Sequence, residues 1–104
     1  MSGAPRTWDV DSPQRVWLDD AAQLINAETG LRVVAADVRY VEHKSGEARD
    51  TEHKWTTVVI VSSYVPILSA EQQQAITSGD GKAFHDTVYA VINHIKSHPV
   101  LYFG

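Results

Sequence analysis

The sequence predicts an α+β domain in the order helix, β-hairpin, helix, helix, with two antiparallel strands packed on the helices. Two β-rich runs, Leu31 to Glu42 and Lys54 to Val65, are joined by a polar segment. Ahead of them, the pair Ser12-Pro13 and Gly30 bracket a stretch with helical spacing. Behind them, a second capped region with an apolar stripe runs from Ser69 to Pro99. A two-stranded hairpin alone is only marginally stable in water. The helices are therefore expected to cover it.

With 104 residues, the chain is long enough for one modest core. Residues 1–11 read as a flexible lead and 12–104 as a single domain. Hydrophobic residues make up 43% and charged residues 21%, as in folded globular chains. The chain has no cysteine, which excludes disulfides, thiolate metal sites and a cysteine nucleophile. The lead lacks an apolar signal core and no run reaches the length of a membrane span, so a cytoplasmic protein without membrane contact is expected. Net charge is −4 and no block of lysine and arginine occurs, which argues against nucleic acid as a partner.

Helix one starts where Ser12 caps and Pro13 takes the first helical position, whose N–H has no helical partner. Val16, Trp17, Ala21, Leu24 and Ile25 form its apolar side, and Gly30 ends it. The first strand is valine-rich. The second contains Thr56-Thr57-Val58-Val59-Ile60-Val61, a β-branched run suited to a pleated surface. Pro66 stops it because proline cannot donate to a ladder.

Pairing symmetric about Ala48 would set Val38 opposite Val58. The core face would then carry Val34, Ala36, Val38, Tyr40, Thr56, Val58, Ile60 and Tyr64. The mixed face would carry Val33, Ala35, Asp37, Arg39, Val41, Trp55, Thr57, Val59 and Val61.

Ser69 and Gln72 form a capping box opening a short helix that ends near Ser78-Gly79. Asp80 caps the last helix, striped by Phe84, Val88, Val91, Ile92 and Ile95 and ended by Pro99. The tail from Val100 to Gly104 is apolar enough to be expected to dock on the core or on a partner.

No motif fixes a reaction or a cofactor. His94 and His98 have the i, i+4 spacing of a metal pair, but the glutamate of the zinc-protease pattern is missing. His43 and His53 flank the hairpin connection and face each other in the symmetric register. Both pairs are weak metal candidates. His85-Asp86 with scattered serines does not make a triad, and Ser78-Gly79-Asp80-Gly81-Lys82 lacks the spacing of a phosphate loop.

The mixed face carries the partner-binding candidates Asp37, Arg39, Trp55 and Thr57, with Arg39 stacked on Trp55; Trp8 is a further anchor in the lead. Arginine and aromatics dominate interface hot spots. The expected function is a non-enzymatic protein-interaction module, regulatory or accessory, of the kind that phage and mobile elements encode. A homodimer is expected, its hairpins joining into a longer sheet or its mixed faces packing together. The alternatives are a small-ligand or metal-binding domain or enzyme using the histidine pairs, and a structural subunit of a larger assembly.

Overall fold

Residues 12–43, 45–46 and 51–104 are described in this computed structural model. The expectations for the lead, Trp8 among them, and for most of the hairpin connection lie outside the described residues. Helix α1 spans Ser12–Thr29, and the chain leaves it through Gly30 at φ +78°, a left-handed turn that costs a glycine nothing sterically. Strands β1 (Val33–Glu42) and β2 (Thr51–Ile60) follow, then α2 (Ala70–Thr77), α3 (Gly81–Ser97) and the short α4 (Pro99–Phe103). The α+β class is thus the observed one.

The local signals act as their chemistry requires. Ser69 caps α2 and shares a reciprocal capping box with Gln72. The Asp80 carboxylate accepts from the Lys82 and Ala83 amides at the start of α3. Each such cap satisfies amides that the first helical turn leaves without partners.

The core lies between α1, α3 and one face of the sheet. Leu18, Ala21, Ala22 and Ile25 meet Val88, Val91, Ile92 and Ile95, with Ile76 from α2 and Val33, Ala35 and Val58 from the strands. Trp17 packs on this cluster and tilts against Phe84, ring centroids 5.1 Å apart. Fully burying a large aliphatic side chain contributes about 1.5–3 kcal/mol; this cluster is the main stabiliser of the fold.

The register differs from the symmetric one by three residues. Val33 faces Ile60, Asp37 faces Thr56 and Val38 faces Trp55. An odd slip sends one strand's side chains to the opposite face. Val33, Ala35, Asp37 and Arg39 therefore share the helix-side face with Ile60, Val58, Thr56 and Lys54, while Val34, Ala36 and Val38 share the other face with Val59, Thr57 and Trp55. The expected core face was right for β2 and inverted for β1.

β2 also begins and ends earlier than its sequence suggests. It stops at Ile60, and residues 61–63 form a turn. Pro66 then bridges antiparallel to Val59, flanked by bonds from the Ile60 amide to the Val65 carbonyl and from the Ile67 amide to the Val58 carbonyl. Proline is tolerated there because its neighbours make the bonds. The bridge adds a short third segment to the antiparallel sheet.

Both sheet edges are closed over the half that holds Val33 to Asp37 and Thr56 to Ile60. The Asn26 side chain donates to the Val33 carbonyl at 2.9 Å and accepts from the Val33 amide at 2.6 Å, acting as a one-residue strand. Arg15 donates to the Ala35 carbonyl and the Tyr64 hydroxyl to the Asp37 carbonyl. On the β2 edge, Gln73 of α2 donates to the Thr56 carbonyl at 2.7 Å, just beyond the 65–67 segment. Covering edges in this way blocks unwanted strand pairing.

Candidate functional site

Tyr64 organises the site. It has φ +60° and is the one non-glycine residue with positive φ among those described, a conformation that costs a bulky side chain energy and persists only when surrounding contacts enforce it. Two bonds do so: its amide donates to the Ile60 carbonyl at 2.7 Å and its hydroxyl to the Asp37 carbonyl at 3.1 Å. Asp37 lies opposite Thr56, on the order of 13 Å from Ile60 along a flat strand. These two bonds tie the turn after β2 back to the middle of β1.

Beside this tie lies an open groove of about 670 Å³ lined by Val38, Trp55, Tyr64 and Pro66, with Asp37, Arg39 and Lys54 beside them. A second hollow of about 530 Å³ adjoins it along α2 and shares Trp55 as a wall, with His53, Leu68 and Gln73. Trp55 is therefore the ridge between two hollows. Behind it on the same face, Thr57 and Val59 are fully buried although they lie outside the main core cluster.

The polar groups form a ladder along the helix-side face and rim. Asp37 Oδ1 accepts from the Thr56 hydroxyl at 2.6 Å and from Arg15 at 3.4 Å. Arg39 donates to Glu52 at 3.3 Å, and Lys54 pairs with the same carboxylate at 3.0 Å. The hydrogen bond from Lys54, helped by the charges of Lys54 and Arg39, holds the Glu52 carboxyl below the usual glutamate range. On the opposite face, His53 meets Glu42 at 3.0 Å.

The predicted site residues are thus split. Trp55 faces the groove; Arg39, opposite Lys54 and one face away, does not stack on it. Asp37 is engaged by Arg15 and Thr56 instead of Arg39. Thr57 is buried and lines neither hollow. His53 lies opposite Tyr40 in the ladder and not opposite His43, so those histidines do not form a facing pair.

His94 and His98 do come together, ring centroids 4.3 Å apart, with Tyr102 edge-on to His94. No group of three or more metal-ligating side chains occurs among the described residues. Asp86 pairs with Lys82 at 2.7 Å, and the hydrogen bond from Lys82 lowers the carboxyl from its ordinary value. Of the apolar tail, Tyr102 packs on the core while Val100, Leu101 and Phe103 are exposed.

Sequence reasoning missed Tyr64, Pro66 and Val38 as groove walls. The available signal was Ser62-Ser63, a polar pair that interrupts the β-branched run and sets Tyr64 just past a turn. No protein-family model, curated protein or solved structure matches the chain. Among the described residues, no helix is long and apolar enough to cross a membrane.

Proposed function

We propose that the chain is a non-enzymatic protein-interaction module, regulatory or accessory in role, which binds another protein in the groove walled by Val38, Trp55, Tyr64 and Pro66. The observation that carries this reading is Tyr64: a strained backbone holds a half-exposed aromatic ring across from a half-buried tryptophan on an open surface. Conformational strain at a surface residue is explained when its side chain has a task there. Large, rigid aromatics give contact area at low entropic cost, which is why they anchor interfaces.

A homodimer through joined sheets has restricted room. Along Val33 to Asp37 and Thr56 to Ile60, the two edges are occupied by Asn26, Arg15, Tyr64, Gln73 and the 65–67 segment. Pairing of two copies would use the distal part of the hairpin, such as β1 around Arg39 and Val41, whose outward backbone groups have no capping partner among the described residues.

The test is capture of a binding protein from a native extract by the whole chain and by its Trp55→Ser variant, with circular dichroism confirming equal folding. The proposal expects a defined protein held by the wild type and lost in the variant. Equal capture by both places the binding surface elsewhere.

A further inference from the structure

The groove's chemistry narrows what it takes. Its walls are apolar, and the charged side chains beside it are Arg39, Lys54 and Asp37. Asp37 is already held by Arg15 and Thr56. Arg39 is 72% exposed and commits one guanidinium nitrogen to Glu52 at 3.3 Å. A guanidinium carries five donors in a planar fork that matches a carboxylate, so most of this fork faces solvent at the groove rim. The charged side chains that line the groove are Arg39 and Lys54 against Asp37, an excess of cations in a chain whose net charge is −4. Glu52, outside the lining, is shared by both cations. The next carboxylate along the hairpin, Glu42, is taken by His53.

We infer that the groove receives an acidic, hydrophobic peptide segment of a partner protein, with an aromatic or long aliphatic side chain between Trp55, Tyr64 and Pro66 and a neighbouring carboxylate on Arg39. This rests on the groove being the binding surface. The apolar walls supply affinity and the arginine fork supplies selection. A basic segment meets like charge at the rim, and a purely apolar one adds nothing to the fork's bond with Glu52.

The experiment is selection of a random dodecapeptide display library on the whole chain, with depletion on the Trp55→Ser variant. Tyr64→Ala serves as the depleting variant should Trp55→Ser lower the melting temperature. The expected binders join an aromatic or leucine residue to aspartate or glutamate. They should weaken about tenfold in Arg39→Gln and with added salt.

Groove-dependent binders without acidic enrichment overturn the acidic segment and leave the groove standing. Absence of any groove-dependent binder overturns both. Self-association by light scattering that is lost in Trp55→Ser makes a second copy the occupant and also overturns the inference.

Discussion

Two side chains show how single hydrogen-bonding groups set the balance in this fold. Asn26 presents one donor and one acceptor to Val33 and so completes β1 on the side where no strand follows. Asn26→Ala leaves a strand amide and carbonyl without protein partners and should cost about 2 kcal/mol. Asn26→Asp keeps the acceptor but sets a second oxygen against the Val33 carbonyl, and it too should destabilise in the same denaturant titration. Thr57 is the opposite case: its hydroxyl is buried and has no hydrogen-bond partner. Thr57→Val removes an unsatisfied polar group at nearly the same shape and is expected to raise stability by about 1 kcal/mol. A loss of that size instead would mean that the hydroxyl has a partner. Neither behaviour is legible in the sequence. Asn26 reads as part of a solvated helix face, and its role depends on where the next strand passes.

The elements divide into those written locally and those that depend on distant partners. The end of α1 at Gly30, the capping box at Ser69 and Gln72, the Asp80 cap and the stripe of α3 were all legible, because each is decided within a few residues. The hairpin register was not. Val33-Val34-Ala35-Ala36 is apolar on both alternations, so sliding β1 by an odd number of residues still puts apolar side chains on the core. The choice falls to long-range contacts: Asn26 on Val33, Arg15 on Ala35 and Asp37, Thr56 on Asp37. The end of β2 was misplaced for a related reason. Val61 to Val65 has strand-like composition, but Tyr64 adopts a left-handed backbone that propensity disfavours and only the finished fold enforces.

At the scale of the whole molecule, α1 and α3 cover one face of the sheet at its base, and α2 runs beside the β2 edge past Thr56 towards Trp55 and His53. Burial follows this division: Val33, Ala35 and Val58 belong to the main core, whereas Arg39, Val41 and Glu52 are exposed. The groove lies where Tyr64 and Pro66 meet the distal half of the hairpin, and it exists in this form only because Trp55 lies opposite Val38 and not beside Arg39. The register is therefore the claim on which both the site and its proposed partner depend.

In an antiparallel ladder the non-hydrogen-bonded pairs bring α-protons close together. Here the β1 residues whose backbone points outward, Val33, Ala35 and Asp37, belong to such pairs. The most direct measurement is a nuclear Overhauser spectrum of the α-protons. Cross-peaks joining Asp37 to Thr56 and Ala35 to Val58 are the result this register requires. Cross-peaks joining Val38 to Val58 or Ala36 to Ile60 would restore the symmetric pairing, return Arg39 to the face of Trp55 and dismantle the groove.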